Sequence, residues 1–527
     1  MKRFFLLLSL FLLTYLSSKA IDVNSVPVGL TIDSTVVMAE SQSFGRRIEG
    51  TVITPNLDYL LLKFRETTKS GKWLKFKGEI GAFCLKESRL LWTRPFNYGT
   101  SSVVCTKAGV LIHQNNNKVT MLDPKTGEER WKRKFYPILS DDTANIVLAY
   151  SSATSSKLSG YDLTTGQQLW TVKLPHDKNW GWNHVISEDS VRWLIVADNL
   201  NRLNIHTGEL YTYEAKTGVV DVKNAILQGL AMAVGAAAGG MIGGGAYVYP
   251  YPMGTIGKNV INQLHSNVLI DDSLYFFSDR QHVVCLNDSM HTLWSYELPS
   301  KTAASARLIC NDSTLYMFNL GYGVKEGMYK KMGRPFIAAF DKRTGACRLM
   351  NMLSMRKDIV EDAALTPDGV FMLFDDGLSY KKELDDSTVT VSSWDVKSYG
   401  RLRAIITTPV YTYYKLKSMF DIVASDGFHF PIITENGDVF LVDKELHISE
   451  RFPAHTLYHP ICMVGNSMCV YSPFCDQQDI WLVSFQGIPE IRMTVPIHNI
   501  GIADRKLYLS NSNSLYYLPL EQSELTK

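Results

Sequence analysis

The stretch LDPKTGEERW, from Leu122 to Trp131, is repeated further along the chain as YDLTTGQQLW, from Tyr161 to Trp170. A weaker copy ends at Trp92, which precedes Trp131 by the same interval that separates Trp131 from Trp170. A repeat of about 40 residues that carries a turn and a tryptophan at constant spacing is typical of the blades of a β-propeller.

Each copy predicts short strands joined by a tight turn. The aspartate can accept hydrogen bonds from backbone amides, the glycine adopts the positive φ of the turn, and the tryptophan fills the gap between neighbouring sheets. We therefore predict an all-β fold, a single β-propeller of four-stranded blades with few helices. A β-sandwich with Asp-Gly turns is the alternative, but it gives no reason for a constant interval. The residues with these structural roles are Asp123, Gly127, Trp131, Asp162, Gly166, Trp170, Gly208, Trp294, Asp341 and Gly345.

The pattern Leu-Asp-x-x-Thr-Gly-x-x-x-Trp at residues 122–131 resembles the repeat of quinoprotein-like propellers, the PQQ-like repeat family that includes BamB-like proteins. The resemblance is specific over residues 81–214 and weak beyond residue 350. It implies eight blades around a central channel. The candidate units in the sequence number about ten, but we expect an eight-bladed propeller. We also expect an early strand, near residues 35–39, to complete the last blade beside residues 515–518 and so cover the sheet edges.

The family that the chain resembles includes quinone-dependent dehydrogenases. The resemblance implies that such an enzyme would need a calcium site, an aspartate base and usually a disulfide between adjacent cysteines. The chain has no Cys-Cys pair and no haem-attachment motif, and its acidic pairs, Asp375-Asp376 and Asp385-Asp386, are typical of solvated turns. The zinc-protease, nucleophile-elbow and P-loop motifs are absent as well. We predict that the chain is not an enzyme and has no catalytic residues, metal or cofactor. A quinone- or metal-dependent oxidoreductase, with its site in the channel, is the alternative function.

The first twenty residues have the pattern of a secretory signal peptide. Lys2 and Arg3 precede a thirteen-residue apolar run, and small residues at Ser18 and Ala20 predict cleavage after Ala20. The predicted domains are therefore a signal peptide at 1–20 and a PQQ-like propeller at 21–527, and the predicted location is periplasmic or extracellular. The whole chain carries 54 Lys and Arg against 52 Asp and Glu, which gives no long-range field for gathering nucleic acid.

Eight cysteines in an exported chain permit disulfides. The spacing leaves open a Cys84–Cys105 bridge, a Cys285–Cys310 bridge and pairing within the cluster Cys462, Cys469 and Cys475. Buried thiols explain the same positions nearly as well, because cysteine packs as a small apolar side chain.

The repeat does not explain residues 224–257, an insert between blades that has no charged residue. Gly235, Gly239 and Gly243 have the spacing that lets helices approach closely in lipid. A single crossing of residues 225–246 would place successive blades on opposite sides of a bilayer, so a simple span is excluded. Three interpretations remain: a hairpin or helix packed on the propeller, a flexible lid, or a peripheral contact with a membrane or a partner.

Several aromatic residues lie in loops that a propeller would place on one rim, namely the links between blades and the loops between second and third strands. Aromatic residues combine apolar area with polar tips, which suits protein contact, although each residue alone is also typical of a loop anchor. We predict an exported scaffold that binds an envelope protein, as a monomer within a complex. The predicted partner-binding residues are Trp180, Trp182, Tyr247, Tyr249, Tyr251, and, in the 319–335 loop, Tyr322 and Tyr329.

Overall fold

The protein is represented by a computed structural model that describes most of the chain after residue 22. The described residues are 23–53, 58–176, 182–220, 241–242, 246–248, 260–261, 264–325, 328–353, 359–366, 369–374, 377–382, 390–393, 402–406, 409–414, 417–426, 428–443, 445–464, 467–472, 479–495, 497, 499–503 and 506–519. The predicted signal peptide and the two acidic pairs lie outside these ranges, so these predictions and the domain limits stay predictions.

The described chain is made of strands, and its one helical element is a 3₁₀ turn at Ala454–Thr456. It begins with a hairpin of β1 (Val23–Thr31) and β2 (Val36–Ser43). Blade I contains β3 (Ile48–Ile53), β4 (Tyr59–Phe64), β5 (Lys77–Cys84) and β6 (Arg89–Asn97), and blade II contains β7 (Ser101–Thr106), β8 (Gly109–Gln114), β9 (Lys118–Leu122) and β10 (Glu129–Lys134). Blade III contains β11 (Tyr136–Asp141), β12 (Ile146–Tyr150), β13 (Lys157–Asp162) and β14 (Gln168–Lys173), and blade IV contains β15 (His184–Ser187), β16 (Arg192–Val196), β17 (Leu200–Asn204) and β18 (Leu210–Tyr213).

The insert and the middle of the chain follow. The insert contributes β19 (Val219–Val220), β20 (Met241–Ile242), β21 (Ala246–Val248) and β22 (Val260–Ile261). Blade V contains β23 (Leu269–Asp271), β24 (Leu274–Ser278), β25 (His282–Leu286) and β26 (Thr292–Glu297). Blade VI contains β27 (Ala306–Cys310), β28 (Thr314–Asn319), β31 (Phe336–Asp341) and β32 (Cys347–Met352), interrupted by a hairpin of β29 (Tyr322–Lys325) and β30 (Met328–Lys331).

The last third repeats the arrangement. Blade VII contains β33 (Val360–Thr366), β34 (Gly369–Phe374), β35 (Gly377–Lys382) and β36 (Thr390–Ser393). Blade VIII contains β37 (Leu402–Ile405), β40 (His429–Thr434), β41 (Val439–Asp443) and β42 (Ile448–Phe452), interrupted by β38 (Val410–Tyr414) and β39 (Met419–Val423). Blade IX contains β43 (Leu457–Val464), β44 (Ser467–Ser472), β45 (Asp479–Ser484) and β46 (Pro489–Met493), and blade X contains β47 (Asn499–Ala503), β48 (Lys506–Ser510) and β49 (Ser514–Pro519).

These sheets are four-stranded antiparallel meanders, the blades of a β-propeller, and the predicted fold class is confirmed. Seven are separate four-stranded sheets, a six-stranded sheet contains blade III, and an eleven-stranded sheet contains blades IX and X. The described residues therefore form ten such sheets, and the eight blades that we expected are not confirmed.

Cα packing divides the chain into two compact units. The first comprises the described residues between 23 and 132, 411 and 422, and 455 and 519, and it holds blades I, II, IX and X. The second comprises residues 133–410 and 423–454, and it holds blades III to VIII.

The predicted early strand completes blade X, as expected. β2 pairs with β49, where Glu40 lies opposite Tyr517, and this pairing supplies the fourth strand of the blade. β1 pairs in turn with the outer strand of blade IX, where Leu30 lies opposite Arg492. One hairpin thus covers the outer edges of two blades, which would otherwise present unpaired backbone groups to other chains.

The core lies between the faces of successive sheets. In the second unit, Leu148 and Leu158 of blade III pack with Trp193 and Ile195 of blade IV. The second strand β12 is buried at all five positions, whereas the outer strand β14 is exposed or half-buried throughout. Because second strands are covered on both faces, they need continuous apolar sequence, and only the outer strands tolerate frequent charge.

The predicted turn chemistry is confirmed at atomic level. The Oδ1 atom of Asp123 accepts hydrogen bonds from the amides of Lys125 (2.8 Å) and Thr126 (3.0 Å). Asp162 and Asp341 accept equivalent bonds from the amides of Thr165 and Thr344. The bonds from Thr344 lower the pKa of Asp341, so the carboxylate form is favoured in the turn. The four predicted turn glycines, Gly127, Gly166, Gly208 and Gly345, all have φ between 66° and 77°.

Two of the predicted tryptophans, Trp170 and Trp294, dock on the turn of the following blade. The ring of Trp170 lies against Gly208, and its Nε1 atom donates to the carbonyl of Ile205 at 2.8 Å. Trp294 lies in the same way against Gly345 and donates to Lys342 at 2.9 Å. Each docked ring therefore joins two sheets, as the sequence predicted, but it packs on the next repeat and not on its own turn.

The structure favours free thiols over disulfides at the described cysteines. Cys84, Cys285, Cys310 and Cys347 are free thiols, and burial raises the pKa of Cys285 to about 11. The proposed Cys84–Cys105 and Cys285–Cys310 bridges are therefore not formed. The side chains of Cys462 and Cys475 lie outside the described residues, so pairing between them stays a prediction.

Candidate partner-binding site

The β29–β30 hairpin of the second unit is held firmly at its base. Asn319 is fully buried, and its amide donates to the carbonyl of Thr302 at 2.6 Å. The amide of Ser305 donates to the carbonyl of Tyr322 at 2.7 Å, and the amide of Leu320 donates to that of Ser305 at 2.8 Å. A Cβ atom on Gly333 would lie 2.7 Å from the Thr302 carbonyl, so the returning strand also fits closely against this link. The hairpin therefore projects from an ordered base.

Tyr322 and Tyr329 pack against each other on this hairpin. Their ring centroids are 4.3 Å apart with an interplanar angle of 32°. Tyr322 is half-buried, whereas Tyr329 is 58% exposed. Burial is the main cause that raises the pKa of Tyr322, with Tyr329 and the carboxylates of Glu361 and Asp362 adding to it. The phenol of Tyr322 therefore stays protonated, and the pair presents one exposed ring on a packed support.

The ends of the insert are hydrogen-bonded to residues beside blades IV and V. Asp279 accepts a hydrogen bond from the amide of Lys216 at 3.0 Å, and Arg280 donates to the carbonyl of Gly218 at 2.7 Å. The amide of Leu264 on the returning limb donates to the carbonyl of Thr217 at 3.0 Å. Val219 pairs with Ile261, so the two limbs leave and return side by side.

The base of the insert lies beside the tyrosine hairpin. β22 contacts β29, and the amide of Ala306 donates to the carbonyl of His265, next to the returning limb. The structure thus brings together two of the features assigned to one rim, the insert and the 319–335 loop. β21 of the insert also pairs with β11, so part of the insert packs on blade III as a hairpin with β20.

Trp182 lies at the same end of blade IV but acts as an anchor. The carbonyl of Ala197 accepts bonds from both Asn183 (3.3 Å) and Thr217 (3.4 Å), so this link and the base of the insert meet there. The indole of Trp182 donates to the hydroxyl of Tyr150 at 2.9 Å and packs in the core of blades III and IV. A partner contact at Trp182 stays a prediction.

The remaining predicted contact residues are not described in full. Trp180, Tyr249 and Tyr251 lie outside the described residues. Tyr247 lies on β21, where its backbone is opposite Ser140, and its side chain is outside the described part.

The titratable groups of the described region do not form a metal site. Among the described residues, no three His, Cys, Asp or Glu side chains are grouped as ligands would be. Burial lowers the pKa of His184 and of His265, which lie near each other, and so favours their neutral forms. No helix in the described part is long and apolar enough to cross a bilayer.

Two surface features of the first unit were missed in the sequence. One is the loop at residues 65–77, where Trp73 is 74% and Phe76 is 68% exposed. The other is a cavity of about 320 Å³ between blades I and II, lined by Lys77, Phe96 and Gln114 among others. The alternation of lysine with apolar residues in KWLKFK, from Lys72 to Lys77, was the available signal for the loop.

Comparisons with known proteins find distant structural neighbours. No family model and no curated protein sequence matches the chain. BamB from Moraxella catarrhalis is 12% identical, with 86% of this chain and 98% of that chain covered and a TM-score of 0.31. The computationally designed Ika8 protein is 10% identical over 75% of this chain and 96% of its own, with a TM-score of 0.31. Hsv2 from Kluyveromyces marxianus is 7% identical over 77% and 99%, with a TM-score of 0.28. The assignment to the propeller class therefore rests on the blades themselves.

Proposed function

We propose that the chain is an exported, non-catalytic β-propeller that binds a protein of the cell envelope and acts there as a scaffold, as a monomer within a complex. The packed tyrosine pair on the β29–β30 hairpin is the observation that carries this proposal. Tyrosine is enriched at protein interfaces because it combines apolar area with a hydrogen-bonding tip. A hairpin already ordered at its base also loses little conformational entropy on binding.

Site-specific crosslinking tests the binding surface. A photoreactive phenylalanine analogue would replace Tyr329 in the full chain, expressed in its native envelope. Leu293 on β26 is the matched control, because it lies in the same unit and is 56% exposed against 58% for Tyr329. We expect one discrete protein adduct from position 329 and none from position 293. Equal adducts from both positions, or none from either, would contradict the proposed surface.

The energetic role of the tyrosine is tested with the captured partner after purification. Tyr329→Ala removes an exposed ring and should leave the fold intact, while binding weakens by tenfold or more, the ~1.4 kcal/mol expected for an interface anchor. Leu293→Ala should change affinity by less than a factor of about two, since exposed positions outside an interface are close to neutral.

The non-catalytic part of the proposal has its own test. The purified mature chain would be incubated with pyrroloquinoline quinone and calcium, and its absorption spectrum and the oxidation of alcohols and sugars would be measured. We expect no bound-quinone spectrum and no oxidation. A stoichiometric quinone spectrum with turnover would instead establish the oxidoreductase alternative.

A further inference from the structure

Residues 65–77, the loop between β4 and β5 together with the first residue of β5, form an ordered hairpin on blade I. The amide of Thr68 donates to the carbonyl of Trp73 at 2.6 Å, and the amide of Lys75 donates to that of Glu66 at 2.8 Å. Thr67 and Leu74 form a β-bridge, and Gly71 makes the tip with φ of 70°. The exposed side chains of the loop are therefore presented on a defined backbone.

Two aromatic rings are exposed on this hairpin to an unusual degree. Trp73 at 74% and Phe76 at 68% are the most exposed large hydrophobic side chains in the described part of the chain. The amide of Tyr98 donates to the carbonyl of Phe76 at 2.7 Å, so the backbone that carries this ring is held. A large exposed apolar surface on a soluble fold usually marks a site of contact.

The same hairpin carries a concentrated positive charge. Four exposed lysines, at positions 69, 72, 75 and 77, lie in the same segment as the rings, and none has an ion pair among the described residues. Arg65 is paired with Glu49 at 2.9 Å, and the one acidic residue of the loop, Glu66, accepts a bond from the amide of Arg47. The four lysines therefore act as uncompensated charge next to apolar rings.

We infer that this lysine–aromatic hairpin docks on an anionic lipid surface. Tryptophan is enriched at membrane–water interfaces, and basic side chains beside it are attracted to anionic headgroups. Trp73 and Phe76 are exposed on a hairpin and do not line the nearby cavity, whereas a bound peptide needs a groove or a sheet edge and a small anion needs a concave site. Trp73 and Phe76 enter the headgroup region while the lysines remain among the phosphates.

Vesicle flotation of the full mature chain tests this inference. The probe is vesicles of phosphatidylcholine and phosphatidylglycerol mixed two to one, and vesicles of phosphatidylcholine alone are the control. We expect flotation with the anionic vesicles only, and its loss in high salt because exposed charges are screened. Removing one lysine, as in Lys72→Gln, should weaken binding about fivefold, since each cation near the surface contributes ~1 kcal/mol.

The aromatic rings require a second pair of variants. Trp73→Ser with Phe76→Ser should weaken binding by roughly a hundredfold, because each ring would lose burial worth about tenfold in affinity. Phe485→Ser with Phe428→Ser is the matched control, since these rings are 59% and 67% exposed elsewhere in the chain, and it should bind as the unchanged protein does. Circular dichroism would confirm that both variants are folded.

A depth measurement separates insertion from simple charge attraction. Brominated lipids should quench part of the tryptophan fluorescence of the bound chain, and Trp73→Phe should remove that part. Equal binding to neutral vesicles, unchanged binding of the Trp73 and Phe76 double variant, or salt-sensitive binding only to an acidic protein would overturn the inference.

Discussion

Gly127→Ala should destabilise blade II because the turn glycine is in contact with a tryptophan. An ideal Cβ on Gly127 would lie 2.6 Å from Cδ2 and 2.8 Å from Cγ of Trp92, well inside the 3.5–4.0 Å of an ordinary carbon contact. The ring cannot move without loss, because Trp92 donates from Nε1 to the carbonyl of Pro124 at 2.9 Å. Ring or turn must therefore shift by nearly 1 Å.

The magnitude follows from two separate costs. A left-handed φ costs a non-glycine residue about 1–2 kcal/mol, and overpacking of this kind adds about 1–3 kcal/mol. Gly71 provides a matched control, because it has the same φ of 70° but a Cβ there would meet nothing within 4 Å. Gly71→Ala should therefore cost only the first amount, so the two variants should differ by about 1–3 kcal/mol.

Hydrogen exchange with mass spectrometry measures the two losses locally, which matters because a chain with two compact units need not unfold in one step. Peptides from β9 and β10 should lose about 2–5 kcal/mol of opening free energy in Gly127→Ala, and peptides of the 65–77 loop about 1–2 kcal/mol in Gly71→Ala. Equal losses in the two variants would refute the docking argument. Trp92→Leu in the Gly127→Ala background should recover part of the loss, because the clash is with the ring.

Three further predictions concern acid, thiols and the insert. Burial lowers the pKa of His113 to about 4, so the folded state binds a proton at this imidazole less readily than the unfolded state does. The contribution of neutral His113 to stability should be fully present above pH 6.5 and decrease as the pH falls towards 4. The melting temperature should therefore decrease less over this range in His113→Gln. Alkylation of the denatured, unreduced chain should modify every free thiol found in the structure, and an unmodified one, shown by peptide mass, would contradict the fold as described. Deletion of residues 225–246 should leave vesicle flotation unchanged if the insert packs on the propeller, and lost flotation would favour the peripheral contact. The thiols concerned are Cys84, Cys285, Cys310 and Cys347.

The sequence predicted the blades where their turn chemistry is local. An aspartate that binds amides two and three residues ahead, and a glycine that supplies positive φ, can be recognised without any long-range contact. The placement of Trp170 on Gly208 could not be read in this way, because it depends on how one sheet packs on the next. The repeat is also hard to follow past residue 370, where a hairpin such as β38–β39 interrupts the meander of blade VIII and the spacing is lost.

Only part of the candidate site could be predicted from the sequence, because its geometry also depends on long-range packing. Tyr322 and Tyr329 could be assigned to one loop, but their mutual packing and their different exposure depend on how the base of the hairpin is held. Trp182 is different, since an aromatic residue in a link between blades can be a half-buried anchor as easily as a partner contact. Trp73 and Phe76 were missed because the alternation of lysine with apolar residues in KWLKFK is equally typical of a strand with one buried face.

The pairing of β2 with β49 has a consequence for the order in which the chain can fold. Residues 40–43 pair with residues 514–517, so blade X cannot be completed until almost the whole chain has been made. Until then the backbone groups of β2 that pair with β49 have no partner strand. They are exposed to other chains for longer than those of any later strand. We therefore expect a holding chaperone to bind mainly at the amino-terminal end of the chain. In a chain that stops before β47, the edge of β2 that pairs with β49 would stay unpaired.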